Sequence, residues 1–332
     1  MAELGFHNRT PFAAEQLLLL DEHAAQSLTV IAKATFELGG GRPVIAKAQA
    51  PIVTVPVYRG APGASSLERD AEIACAKAAT DVLLLGHAYP ERSGATEALV
   101  RLQVGTLTKQ VQVFGDRRWA RVDGRLRPGA PLPFERMPLT WERAFGGPAF
   151  DRNPVGVGYF RNVQAHDPEG SPLPNLEDPG ALLRDPGDAP APACFGYLSP
   201  SWMPRRAYAG TYDETWELGR YPRLPVDFDR RFHNGAPADL QVPGHLRGGE
   251  AVEILDVSPR GALRFSLPQV AITGRFRLRR GEPRALSFAL DTVIIDADRL
   301  RLELVYRGAA SIHRRVHDLE WAEIDLAGGL PP

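Results

Sequence analysis

His313 and His317 stand four apart in HRRVH, a spacing that would set both imidazoles on one helical face, as a zinc protease does. That chemistry needs a glutamate directly after the first histidine to act as base. The chain has Arg314 and Arg315 there, and their charge opposes a bound cation. The other histidines, His7, His23, His87, His166, His233 and His245, show no ligand spacing. Cys75 and Cys194 are too far apart to form a metal site unaided, and two isolated thiols do not make a disulfide scaffold. Neither a metal nor a cofactor is expected. In Gly63–Leu67 (GASSL) a serine sits as in a nucleophile elbow, but Leu67 occupies the place of the second glycine that the sharp turn requires. The glycine clusters at 39–41, 146–147 and 248–249 lack the following Lys-Ser/Thr of a phosphate loop. Glu142, Asp151, Glu177, Asp178, Asp213 and Glu214 could supply glycosidase carboxylates, yet such a pair must flank one bond at a set separation, which chain position does not specify. No catalytic set is expected.

One local cluster suits an anionic partner. Arg275, Arg277 and Arg279 alternate with Phe276 and Leu278, so a strand there would carry three guanidinium groups on one face. The competing reading is the solvated outer face of a half-buried strand.

The elements that must position these groups are mainly strands. Leu28–Leu38 is β-branched and apolar and ends at Gly39-Gly40-Gly41, while Ala98–Val104 and Leu107–Phe114 flank Gly105-Thr106, a tight hairpin signal. Leu17–Leu20 is ambiguous, because AAEQLLLL would also suit a helix; a strand is favoured, since 21–26 then reads as a reversal into Leu28–Leu38. Val252–Val257, Ala262–Leu267, Ala271–Arg279, Arg284–Leu290, Thr292–Ile295 and Leu300–Tyr306 repeat the pattern, with connections too short for helical crossovers. Between them, residues 128–243 hold 19 of the 30 prolines, a density that regular strands do not survive. This stretch is aromatic, not polar. Trp202–Gly219 is its best helical candidate, interrupted by Gly210. The expected fold is mainly β, with antiparallel sheets as a sandwich or open barrel-like arrangement, a long Pro/Gly- and aromatic-rich irregular centre and few short helices. The expected division is one β-rich domain over 1–307 (strand-rich 15–122 and 250–307, irregular 128–248), followed by a C-terminal extension, 308–332, with a helix at HRRVH, a strand at LEWAEIDL and a frayed end.

Charge narrows the function classes. With 39 basic and 40 acidic residues and no segment rich in either, nothing marks a nucleic-acid binder. Only four of the basic residues are lysines (33, 47, 77 and 109), which suggests a GC-rich bacterial genome. The N-terminus lacks the basic and apolar regions of a signal peptide, and no apolar run approaches bilayer-crossing length. A cytoplasmic protein without membrane insertion is expected.

Several stretches are familiar as an ordered set: Asn8–Ala14 (NRTPFAA), Gly60–Leu67 (GAPGASSL), Thr80–Val82 with Gly86–Ala88, Val113–Trp119 (VFGDRRW), Met137–Gly147 (MPLTWERAFGG), Asn153–Gly156 (NPVG), Leu173–Asp178 (LPNLED), Ala209–Trp216 (AGTYDETW), Phe232–Pro237 (FHNGAP) and Pro243–Glu250 (PGHLRGGE). Their order resembles the bacterial family known as domain of unknown function 2169, over about residues 6–307. Genes of that family commonly sit beside type VI secretion components, including spike and PAAR-like tip proteins and toxic effectors. The resemblance therefore implies an adaptor or chaperone that loads an effector or spike-tip protein for export, and it implies no catalytic set. The candidate partner contacts are Trp141, Glu142, Arg143, Asn153, Asn175, Glu177, Tyr212, Asp213, Trp216 and Asn234. The asparagines and aspartates are equally suited to closing loops internally. The alternative is a carbohydrate-binding or carbohydrate-active β protein that uses the aromatic centre as its platform. A chaperone should also expose an apolar patch or a sheet edge.

Overall fold

The computed structural model describes residues 5–21, 23–39, 41–163, 167–313 and 315–328. The chain opens with β1 (Gly5–Asn8), β2 (Ala13–Leu20) and β3 (Gln26–Glu37), then β4 (Ala79–Leu85), β5 (Glu97–Val104) and β6 (Leu107–Phe114). Across the middle it has the short β7 (Leu176–Glu177), the six-residue helix α1 (Glu214–Gly219) and β8 (Gln241–Pro243). It closes with β9 (Ala251–Leu255), β10 (Leu263–Ser266), β11 (Ile272–Leu278), β12 (Arg284–Asp296), β13 (Arg301–Ser311) and β14 (Leu319–Leu326).

The larger sheet has the order β1-β14-β11-β12-β13-β3-β2, with β4 joined to β12 and β8 to β4 as a branch, and it curls into a nearly closed barrel whose main path ends at β1 and β2. The second sheet runs β7-β6-β5-β9-β10. Pairing is mainly antiparallel, as the short connections require. In the larger sheet, β1 with β14 and β4 with β12 run parallel. The hairpin at Gly105-Thr106 forms with Val104 opposite Leu107, and Gly105 supplies the positive φ of 56° that a side chain would resist.

Leu17–Leu20 lies in a strand, which resolves its helix-or-strand ambiguity in favour of the strand. Trp202–Gly219 divides in two, because Gly210 takes φ 82° between a 3-10 turn (Arg205–Ala209) and α1. The C-terminal residues are not an extension. β14 sits between β1 and β11 and buries Leu319, Ala322 and Ile324, so the last strand completes the barrel beside the first. The frayed end expected at 329–332 lies outside the described residues.

β3 shows why the barrel needs its irregular middle. Leu28, Val30, Ala32, Ala34 and Phe36 line one face and are buried; Thr29, Ile31, Lys33 and Thr35 line the other and are buried too. A strand covered on both faces needs material outside the sheet, and the proline-rich centre provides part of it. Trp141, Phe195, Tyr197 and Trp202 from that centre belong to the same hydrophobic cluster as both sheets. Trp141 and Trp202 meet edge to face at 6.0 Å.

Candidate functional site

The familiar stretches converge on one another. Glu142, in a 3-10 turn at Trp141–Arg143, accepts hydrogen bonds from the Ser66 backbone N–H (2.7 Å) and hydroxyl (2.9 Å), joining WER to GASSL. Arg143 Nη1 donates to Asp116 Oδ1 and Asn175 Oδ1, both at 3.1 Å. Asn175 Nδ2 donates to the Phe114 carbonyl (3.0 Å) and to Asp116 Oδ1 (3.1 Å). Arg117 pairs with Glu177, whose second oxygen accepts from Leu183 N–H at 2.8 Å, and the guanidinium lies 3.6 Å from the Phe114 ring centroid. Asn153 Nδ2 donates to the carbonyls of Trp141 (2.8 Å) and Phe145 (3.0 Å), closing NPVG onto WERAFGG. Asn234 donates to the Ala79 carbonyl and to Asp81 Oδ1, both at 2.9 Å, tying FHNGAP to β4.

This geometry divides the ten candidate contacts. Trp141, Asn153, Glu177 and Asn234 are buried and turned inward, because loops without regular pairing need side-chain amides and carboxylates to satisfy their own backbone; Asn175 is also buried, but it lines the cleft described next. Glu142 and Arg143 are half-buried and line a cleft of about 600 Å³ with Asp116, Arg118, Trp119 and Leu132. Tyr212, Asp213 and Trp216 form a separate, outward-facing group. Asp213 caps α1 by accepting from Trp216 N–H (2.8 Å), while Trp216 Nε1 donates to the Arg223 carbonyl (2.8 Å). The indole packs edge to face on Tyr212 (4.7 Å) and Tyr221 (5.7 Å).

The arginine face is partly compensated by carboxylates of the neighbouring strand. β11 turns Arg275 and Arg277 outward as the alternation predicts, but β14 places Glu323 and Glu320 beside them, with 2.8 Å contacts from Nε of each arginine. Arg9 also reaches Glu323, at 3.1 Å. Arg279 falls beyond β11, where its N–H donates to the Asp318 carbonyl. The cross-strand carboxylates offset part of the patch's charge, with Arg9 and Arg275 sharing Glu323. His313 lies in a turn at φ 48° and His317 in a 3-10 turn (Val316–Asp318), so no helical face joins them; Arg314 lies outside the described residues. Among the described residues, no three His, Cys, Asp or Glu side chains gather as a metal site would require.

A belt of buried charge on the polar face of the barrel escapes a motif-based reading. Lys33 on β3 lies 2.7 Å from Glu72 and 3.0 Å from Glu303 on β13, and Arg69 reaches Glu303 at 3.0 Å. Arg307 pairs with Asp291 at 2.5 Å, Lys77 with Asp81 at 2.8 Å and Arg205 with Asp70 at 2.6 Å. These pairs staple residues 66–81 and the proline-rich centre across the strands. Lysine usage is the signal that could have revealed them. Of the four lysines, Lys33, Lys77 and Lys109 are each largely buried against a carboxylate, where a compact ammonium fits.

Electrostatics assign Glu142 the role of acceptor. Burial works against its charge, but hydrogen bonds from the Ser66 N–H and hydroxyl, together with the Glu142 N–H and the Thr140 hydroxyl, outweigh it and hold the carboxyl below its ordinary value. A lowered folded value means stability that is present above the ordinary carboxylate range and is lost as pH falls through the folded value. Glu142→Gln should therefore flatten part of the acid limb of the unfolding free energy measured in urea from pH 7 to pH 3. An acid limb identical to wild type would rule this out. Glu177 is shifted up by burial, with Arg117 opposing, but it faces Arg117 and Leu183 rather than a substrate. The cleft therefore presents fixed charges, the Glu142 carboxylate and the Arg143 guanidinium with Asp116, on an irregular wall.

No helix among the described residues is long and apolar enough to cross a membrane. No curated protein and no solved structure matches the chain. Residues 23–307 match the family described as "Uncharacterized protein conserved in bacteria (DUF2169)", and the chain belongs to that family.

Proposed function

We propose that the protein is a non-catalytic adaptor or chaperone of the bacterial cytoplasm that binds a type VI secretion effector or PAAR-like spike-tip protein and aids its loading for export. The observation that carries this reading is the apolar knuckle at 212–226. Tyr212, Leu218, Tyr221 and Val226 are each more than half exposed around Trp216, a costly arrangement unless a partner covers it. It is also preorganised. Thr211 N–H and hydroxyl clasp Asp227 at 2.9 and 2.8 Å, and Asp213 and the Arg223 carbonyl hold Trp216, so little order is lost on docking. A second feature suits a client: β2 is an eight-residue edge strand, AAEQLLLL, with Leu18 and Leu20 exposed and no strand on its outer side among the described residues.

Co-expression with the neighbouring spike-tip or effector protein should give a stable complex. Trp216→Ala should weaken it by about 2 kcal/mol, roughly thirtyfold in Kd. The variant should retain the wild-type melting temperature, because α1 is peripheral. Failure to co-purify with any neighbour-encoded protein, together with unchanged effector export on deletion, would sink the proposal. The exposed rings also favour a carbohydrate platform. Saturable binding in a glycan screen, lost in Trp216→Ala, would support that alternative instead. The edge-to-face packing of Trp216 against two tyrosines leaves less open ring face than a sugar stack uses.

A further inference from the structure

The larger sheet splits. β11 follows β12 only as far as Thr273 opposite Ser287, and β4 takes up the same side of β12 only from Asp81 opposite Thr292. Between those points a single bridge, Leu246 to Leu290, spans the opening. The result is a hollow of about 440 Å³, within the size range of small-molecule sites. Its walls are Leu246, Val270, Ile272, Phe288 and Leu290, and its polar lining groups are His245, Arg247, Gln269 and Tyr306.

Three of these groups are uncommitted. Tyr306 is 4% exposed, and its hydroxyl is buried without a hydrogen-bond partner. A buried, unsatisfied hydroxyl is a rare and costly feature in a folded protein. Arg247 is exposed and engages only through its backbone, its N–H donating to Glu250 Oε1 at 2.9 Å. The Gln269 side chain lies against Gly249, where a Cβ would come within 2.7 Å of Nε2, so the amide is confined by a residue with no side chain. His245 is committed differently, with Nδ1 3.4 Å from the Thr80 hydroxyl oxygen. Among the described residues no acidic side chain lines the hollow itself, although Glu250 stands behind it, with Oε1 accepting from Arg247 N–H and a charge that reaches Tyr306. Burial, reinforced by the charge of Glu250, drives the Tyr306 phenol above its ordinary value, so the hydroxyl keeps its proton and can donate.

We infer that this gap in the sheet is a binding site for a carboxylate group, received by the Arg247 guanidinium, the Tyr306 hydroxyl and the Gln269 amide. Guanidinium and phenol are the donors that hold carboxylates by charge-assisted hydrogen bonds, and the apolar walls would cover the carbon skeleton that carries the group. The carboxylate has two sources, a free organic acid or the C-terminus of a partner chain. The site is independent of the 212–226 knuckle, so each can fail without the other.

The test is titration calorimetry on the full chain at low salt. The probes are succinate, citrate, inorganic phosphate, and a short Ala/Leu peptide with its C-terminus free or amidated. At least one carboxylate probe should bind saturably, and both Arg247→Gln and Tyr306→Phe should weaken it about tenfold or more. Tyr306→Phe should leave the melting temperature unchanged or higher, since no hydrogen bond is lost; that separates a ligand contact from a structural one. Binding of succinate or citrate identifies a free acid. Binding of the free-ended peptide alone, abolished by amidation, identifies a chain terminus. No saturable binding by any carboxylate probe, binding of phosphate alone, or wild-type affinity in both variants would overturn the assignment.

Discussion

Lys33→Met should lower the unfolding free energy by about 3–5 kcal/mol, read from urea denaturation at neutral pH. Lys33 is 1% exposed in the middle of β3, and its ammonium stands between Glu72 and Glu303 while donating to the Pro51 carbonyl at 3.1 Å. Removing it leaves Glu72 buried beside Glu303, whose remaining charge partner is Arg69. Burial already shifts Glu72 upward, with Lys33 opposing. A carboxyl raised in the folded state stabilises the fold below its ordinary value, and that contribution is lost as pH rises through the folded value. Without Lys33 the folded value rises further, so the loss should be greatest at neutral pH and shrink in acid. Adding Glu72→Gln should restore more than half of it, because the amide oxygen can still accept from Val53 N–H, which the carboxylate now does at 2.8 Å. A loss under about 1 kcal/mol, the value of an exposed pair, would refute the buried-charge account.

Gly115→Ala should cost about 3 kcal/mol, at the upper end of overpacking penalties. A Cβ there would lie 1.7 Å from the Leu132 carbonyl oxygen. That atom is backbone, so no rotamer change relieves the clash. The two segments are held together by Leu132 N–H donating to the Asp116 carbonyl (3.0 Å), while Gly115 N–H is fixed separately on the Thr96 carbonyl (2.8 Å). Separating them would displace Asp116 and open the wall of the cleft that also holds Arg143. Gly219→Ala is the control: its Cβ meets nothing within 4 Å, it lies in α1, and it should be neutral or stabilising by up to about 1 kcal/mol. Equal losses in the two variants, measured by thermal and urea unfolding, would show that close approach is not the cause.

The legible part of the fold is what local pattern encodes. Period-two alternation marks β6, β9 and β11, and Gly105 marks their kind of turn. Proline spacing marks the centre that lacks strands. Partnerships across long separations were not legible. Nothing in Ala79–Leu85 announces that it runs parallel to β12, because a strand buried on both faces reads as a plain apolar run. Nothing in LEWAEIDL announces that it lies between the first strand and β11 and brings Glu320 and Glu323 to the arginines there. The ordered motifs identified the family and marked where the irregular centre is anchored. Four of their side chains proved internal and Asn175 lies in the cleft wall, since an asparagine that closes a loop and one that meets a partner look alike in one dimension.

By itself the sequence determined the β class, the irregular aromatic centre, the family, and the lack of a motif for metal, nucleotide or acyl chemistry, because each depends on neighbours a few residues apart. Tertiary structure decided which charges are buried together, which aromatics remain outside, and where the sheet parts around Tyr306. Those outcomes depend on contacts between residues as distant as Arg69 and Glu303, whose pairing arises only when the barrel closes.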